Sequence, residues 1–189
     1  YMQNHRLNIP TLLMADIIHG FRTIFPIPLA LGSTWDEAAV EKMAEISAKE
    51  AAVSGLHVTF SPMVDLVRDP RWGRVMESTG EDPLLNSRLA AAMVRGYQGE
   101  NLKEDNWRVA ACVKHFAAYG GALAGRDYNT VDMSERQLRE MYLPGYKAGL
   151  DAGAKLVMTS FNTVDGIPAT GNQWLFRDVL RNEFGFEGV

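Results

Sequence analysis

Four short apolar runs, each closing on a polar or chemically active stretch and each followed by a segment of helical spacing, constrain this chain most. The runs cover residues 12–16, 58–65, 109–116 and 156–162. After the first, Val40, Met43, Ala44, Ser47 and Ala51 recur at helical spacing; after the second, Leu85, Leu89, Ala92, Met93 and Tyr97 do so. Leu138, Met141 and Tyr142 open a third apolar stripe, and Trp174, Leu175, Val179 and Leu180 mark a helix over 172–183. Residues 186–189 begin a fifth strand. Strands alternating with helices in this way predict a parallel sheet covered by helices. No Gly-x-Gly-x-x-Gly turn follows the first strand, which sets a dinucleotide-binding sheet aside. The fold class expected is α/β, a partial (β/α)8 TIM barrel of about four βα units.

Local chemistry marks the boundaries. Thr34-Trp35-Asp36-Glu37 and Ser134-Glu135-Arg136-Gln137 have the pattern of capping boxes, and Gly55 suits a helix stop. Pro144 predicts a kink in the third helix. Polar loops run over 66–83 and 117–133. The polar residues gather at strand ends and in the loops that follow, where a barrel keeps its active site.

Composition limits the partners. The chain has 189 residues, a formal net charge of -4 and no Lys/Arg run, which speaks against a nucleic-acid partner. No apolar stretch is long enough to span a membrane. Cys112 sits in an apolar run and reads as a small buried hydrophobe. His5, His19, His57 and His115 lack metal-ligand spacing, so no metal and no cofactor are expected. His57, just before an apolar strand, reads as structural, and Ser160 lacks the surroundings of a nucleophile elbow. No secretory signal peptide is legible. Tyr1 does not resemble a native start, residues 1–6 lead at once into 7–10 and a strand, and both ends are expected to be cut.

Asp16 follows the first strand, and a carboxylate there can accept hydrogen bonds from two sugar hydroxyls. Arg71 and Arg74 flank Trp72 in the loop after the second strand. Their guanidiniums can fork onto hydroxyls or carboxylates, or pair with Glu77, Glu81 or Asp82 and hold the loop. Lys114 and His115 are adjacent at a strand end, the one place where neighbours can both reach a ligand. Arg126 and Asp127 can reach the same pocket. Met158 can line it or belong to the core, and Phe161 can offer an apolar wall to a sugar face. The residues alone leave two other chemistries open: an acid pair of Asp16 and Asp65, or a Schiff base on Lys114.

Several stretches fall in one order: residues 15–20 (Ala-Asp-Ile-Ile-His-Gly), 25–32, 62–65, 68–74 (Arg-Asp-Pro-Arg-Trp-Gly-Arg), 80–83 and 114–116 (Lys-His-Phe). Together they resemble glycoside hydrolase family 3, most of all its bacterial periplasmic β-glucosidases, over essentially the whole chain. The resemblance implies an exo-acting, retaining hydrolase of β-linked sugars without a cofactor, periplasmic or secreted. Its substrates would be β-linked oligosaccharides or aryl β-glucosides. It implies that Asp16, Arg74, Lys114 and His115 hold the non-reducing-end sugar, with Arg126 a further contact and Met158 lining the pocket. Phe161 departs from many members, which carry Tyr there. Ala117-Ala118-Tyr119-Gly120 after Phe116 departs from the N-acetylglucosaminidase branch, which continues Pro-Gly-His-Gly.

The resemblance also implies a barrel strand before Tyr1. It implies a nucleophilic Asp just after a Gly-Phe-x-Gly-Val strand start, and an acid/base from a later domain. Here residues 185–189 are Gly-Phe-Glu-Gly-Val. Residues 1–189 are therefore expected to be an incomplete N-terminal barrel domain, with both catalytic carboxylates beyond Val189. Its open edges would allow self-association. A β-xylosidase of the same family and an inactive carbohydrate-binding remnant are the alternatives.

Overall fold

The computed structural model describes residues 6–189; His5 and the segment before it lie outside the described residues. Four strands, β1 (Met14–Ala15), β2 (Val58–Thr59), β3 (Ala110–Phe116) and β4 (Leu156–Thr159), form one sheet in the order β1-β2-β3-β4. Every pairing is parallel. A sheet that keeps chain order, with each new strand added on the same side, is how a barrel grows; a doubly wound sheet reverses direction. Val157 N–H donates to Val189 O at 2.8 Å and Val189 N–H to Lys155 O at 3.1 Å, so residue 189 lies beside β4, but residues 186–189 form no strand where a fifth was expected.

The strands are shorter than the apolar runs. β2 ends at Thr59, and beyond it the pairing with β3 is irregular: Cys112 N–H donates to Ser61 O and Lys114 N–H to Pro62 O, each at 3.0 Å, Val64 N–H donates to Lys114 O at 2.8 Å, and Met63 bridges Lys114. The Ser61–Pro62, Lys114–His115 and Phe116–Ala117 peptides are cis, and the β3–β4 register shifts between Lys114 and Phe116.

The helices form the outer layer. α1 (Pro28–Gly32) is a single short turn; α2 (Glu37–Val53) and α3 (Pro83–Gln98) are the long ones. α2 buries Val40, Met43, Ala44, Ser47, Ala48 and Ala51, the stripe read from spacing. Its cap is Asp36 rather than Thr34. The Asp36 carboxylate accepts from Ala39 N–H at 3.0 Å, while the Thr34 hydroxyl turns back to Leu31 O at 2.7 Å. Asp82 caps α3 through Leu85 N–H at 2.7 Å, with Pro83 in the first turn. A Cβ on Gly96 of α3 would stand 2.3 Å from Glu41 O and 2.6 Å from the Ala44 methyl, so α2 and α3 approach as closely as they do only because this residue is glycine.

Ser134 caps α4 (Glu135–Gln137) by accepting from Gln137 N–H at 3.2 Å, as expected. A π-helical turn, Leu138–Tyr142, follows and passes into α5 (Leu143–Asp151). The helix changes type where Pro144 was expected to disturb it. A last π-type helix, Trp174–Glu183, buries Leu175, Val179 and Leu180. The small antiparallel pair β5 (Thr163–Val164) and β6 (Ile167–Pro168) turns at Asp165-Gly166.

Two α3 side chains tie the outer layer to the sheet. The buried Tyr97 hydroxyl donates to Ile17 O at 2.7 Å and accepts from Ser61 Oγ at 3.2 Å. The Gln98 amide accepts from Ala111 N–H at 3.0 Å and donates to Gly153 O at 2.8 Å. Cys112 is buried as expected, and His57 is structural, its Nδ1 accepting from Leu13 N–H at 3.0 Å.

Candidate functional site

The sheet delivers its polar residues to one end. Asp16 follows β1, Asp65 lies beyond β2, Lys114 and His115 close β3, and Met158 and Phe161 come from β4 and the turn after it. All lie towards the C-terminal ends of parallel strands. Lys114 and Met158 are register partners across β3 and β4.

Lys114 is buried, yet its Nζ reaches Asp16 Oδ1 at 2.7 Å and lies 3.9 Å from Glu77 Oε2. Glu77 sits in the short 3-10 turn Val75–Glu77 and clamps Arg74 in two-point fashion, accepting from Nε at 2.7 Å and from an Nη at 2.8 Å. That carboxylate pushes the Arg74 guanidinium further up from its already high range, so Arg74 is charged at any working pH. Arg71, on the other side of Trp72, pairs instead with Asp69 at 2.6 Å. Asp16, His19, Ile24, Arg74, Met76 and Glu77 face a cleft of about 420 Å³. A larger hollow of about 1000 Å³ lies beside Trp107 and Arg108, before β3 begins, and holds none of the residues picked out from sequence.

Behind the cleft stands an aromatic block. Tyr119 is fully buried and meets Trp72 and His115 edge-on, each at 5.2 Å, while the Arg74 guanidinium lies over its face at 5.6 Å. Phe161 and Tyr128 are exposed, tilted against each other at 5.1 Å, and both touch Tyr119. Trp72 Nε1–H donates to Asp127 Oδ1 at 3.0 Å, which joins the loop after β2 to the loop after β3.

Of the residues named from sequence, Asp16, Arg74 and Lys114 come together around Glu77. His115 stands next to them on Tyr119, with Phe161 on the same ring. Arg126 does not join them: it is exposed on the turn that follows Leu123–Gly125 and makes no ion pair among the described residues. Asp65 does not pair with Asp16 at the cleft, because it is fully buried against His115 and Tyr146. A Schiff-base lysine needs a free amine, whereas Lys114 is bound in an ion pair. Glu77, Tyr119 and Tyr146 carry much of the geometry. Only Glu77 has a sequence signal, its three-residue spacing from Arg74.

The glycosyl hydrolase family 3 N-terminal domain model matches residues 1–189. The chain belongs to glycosyl hydrolase family 3. It is 50% identical over 184 residues to a periplasmic beta-glucosidase of Salmonella typhimurium, covering 97% of this chain and 24% of the relative. A beta-xylosidase of Formosa agariphila is 39% identical over 197 residues, covering 98% of this chain and 27% of that one. Crystal structures of a beta-glucosidase from Listeria innocua, in complex with glucose and in complex with laminaribiose, superpose with TM-scores of 0.98 at 65% identity. They match 100% of this chain and 26% of theirs, so the chain spans about a quarter of the length of the proteins it resembles.

Proposed function

We propose that this chain is the sugar-holding part of an exo-acting, retaining β-glucosidase. The longer protein removes terminal β-D-glucosyl residues from β-linked oligosaccharides or aryl β-glucosides. The observation that carries the reading is the Asp16–Lys114–Glu77–Arg74 chain of charges beside an open cleft. It stands in a chain 65% identical to a β-glucosidase crystallised with glucose. Asp16 is 62% exposed, so it keeps lone pairs for two sugar hydroxyls while Lys114 holds it in place. Lys114 and His115 reach further hydroxyls. Met158 and Phe161 line the apolar face of the ring, while Arg126, exposed on its turn away from the cluster, is left out of the contact set.

Retaining hydrolysis needs two carboxylates about 5–5.5 Å apart, one a nucleophile and the other an acid and then a base. Both are assigned to the longer protein, beyond Val189, which makes residues 1–189 an incomplete catalytic barrel domain. The Salmonella relative's description supports a periplasmic or secreted location.

A β-xylosidase is the second reading, supported by the 39% identical Formosa protein that covers 98% of this chain. The deciding experiment compares kcat/KM of the full-length protein for p-nitrophenyl β-glucoside and β-xyloside. Preference for the glucoside, with retention of β-configuration by proton NMR, is expected. Preference for the xyloside moves the assignment to β-xylosidase, and turnover of neither leaves an inactive sugar-binding remnant.

A further inference from the structure

Asp65 has no solvent exposure, and its two oxygens are surrounded by donors. Oδ2 lies 3.1 Å from His115 N and 2.7 Å from His115 Nδ1. Oδ1 lies 2.5 Å from the Tyr146 hydroxyl. That hydroxyl is also 2.7 Å from the His115 carbonyl oxygen and accepts from Ala118 N–H at 3.2 Å. Tyr146 comes from α5, on the outer layer, so its hydroxyl crosses from a helix to the end of β3. Burial, reinforced by the Asp65 carboxylate, pushes Tyr146 well above the usual phenol range and keeps it a neutral donor.

The backbone N–H of His115 can only donate, and a carboxylate can only accept. Oδ2 is therefore an acceptor, and the ring nitrogen facing it must carry the proton. Nε2 is the one polar ring atom left for anything outside this knot. The ring cannot turn over without breaking the Nδ1 contact, and Tyr119 meets it edge-on at 5.2 Å.

We infer that Asp65, steadied by Tyr146, is a positioning residue that fixes His115 as the Nδ1–H tautomer and leaves Nε2 as a hydrogen-bond acceptor for a sugar hydroxyl. The inference rests on the β-glucosidase reading for the identity of the ligand. In that tautomer Lys114 donates and His115 Nε2 accepts, so adjacent residues read two hydroxyls with opposite polarity. A tautomer set by the bond that the other nitrogen makes is a known way of orienting an imidazole.

The test uses the full-length protein labelled with 15N-histidine, with the His115 signals assigned by their loss in His115→Gln. Long-range 1H–15N correlation near neutral pH is expected to show Nδ1 protonated and Nε2 bare. In Asp65→Asn the amide can turn either its oxygen or its nitrogen to the ring. A mixed or inverted tautomer is then expected, with glucose binding weakened about tenfold or more at temperatures where the variant stays folded. Nε2–H in the unaltered protein overturns the inference, and so does Asp65→Asn with unchanged tautomer and glucose affinity. If Asp65→Asn fails to fold, the tautomer of the unaltered protein still decides. An unaltered protein with the Nδ1–H tautomer that neither binds glucose nor cleaves an aryl glycoside supports the ring lock and sinks the glucosidase reading instead.

Discussion

Lys114 and Asp16 meet at 2.7 Å across 98 residues of sequence, the ammonium 3% exposed and the carboxylate 62%. The pair is lopsided: the cation is buried at the end of a central strand, and the anion stands at the mouth of the cleft. Water can solvate Asp16 without Lys114, but hardly the reverse. Taking one partner from a buried pair costs more than the pair itself contributes, because the remaining charge is left without water. Glu77, 3.9 Å from the ammonium, compensates only in part.

In the full-length protein, Lys114→Ala and Asp16→Ala are each expected to lower kcat/KM for an aryl β-glucoside by roughly two powers of ten. A charge-assisted hydrogen bond contributes about 1.5–3 kcal/mol, and each side chain is positioned to make more than one. Steady-state kinetics settle it; near-normal values for both variants would move the sugar site elsewhere.

Glu77→Gln keeps the size of the side chain and discards its charge. Gln cannot hold Arg74 at both nitrogens as the carboxylate does at 2.7 and 2.8 Å, because its amide nitrogen has no lone pair to offer. A fall of about tenfold in kcat/KM is expected, with the melting temperature little changed because this pair is partly exposed. A large loss of melting temperature with intact kinetics would make the pair a loop brace only.

Much of this arrangement was legible in the sequence, and the illegible part has a physical pattern. Apolar runs located all four sheet strands, because the strands of a parallel sheet read as nearly continuous hydrophobic stretches. They overran at their ends: regular pairing of β2 stops at Thr59, and residues 60–64 keep only scattered backbone bonds to the neighbouring strands while the Ser61 and Asp65 side chains take partners of their own. Thr34 was mistaken for a cap because the four-residue pattern fitted and Asp36, two places on, fitted as well. The Asp165-Gly166 hairpin carries a turn signal, but its strands are two residues each, too short for an alternating pattern to show. Asp16, Lys114 and Arg74 could be named from strand ends and family motifs. The roles of Tyr119 and Tyr146 could not, since an aromatic residue at helical or loop spacing reads first as core.

Buried tyrosines set the alkaline limit. Burial pushes Tyr97 up to about 12, and it raises Tyr142 and Tyr146 as well. A raised folded-state value means that the native protein holds protons which the unfolded chain releases near pH 10. The stability they contribute is complete below about pH 10 and drains away as pH rises towards the folded values. For Tyr97 alone this amounts to roughly 2–3 kcal/mol. Thermal melts are expected to be flat from these groups up to about pH 10 and to fall steeply above it. Tyrosinate absorbance of the three should appear together with unfolding; early titration of all three in the folded protein would contradict the burial argument.

Cys112 should be inert in the native state. Burial pushes its thiol up to about 11, so little thiolate exists at neutral pH and the little that forms is shielded. Reaction with Ellman's reagent is expected to be slow in buffer and complete within minutes in denaturant. Rapid labelling of the folded protein would mean that β3 opens far more readily than its packing implies.

The last expectation concerns the isolated 189-residue polypeptide. β1 pairs only with β2 among the described residues, and Leu12, Leu13 and Met14 along it are exposed. On the other side β4 has only Val189 as a partner beyond β3. Unpaired strand edges with apolar side chains recruit other strands. A second copy is the most available partner, since two half-barrels can cover each other's inner face. Light scattering on the purified polypeptide is expected to show dimers or larger species, and, on the proposed assignment of both catalytic carboxylates to the longer protein, p-nitrophenyl β-glucoside is expected to go uncleaved. A monodisperse monomer that melts cooperatively would show that these four strands close their own core, and the barrel-fragment reading would then fail. Clean turnover by that same monomer would place the nucleophile within residues 1–189, with the described carboxylates to be tested one by one.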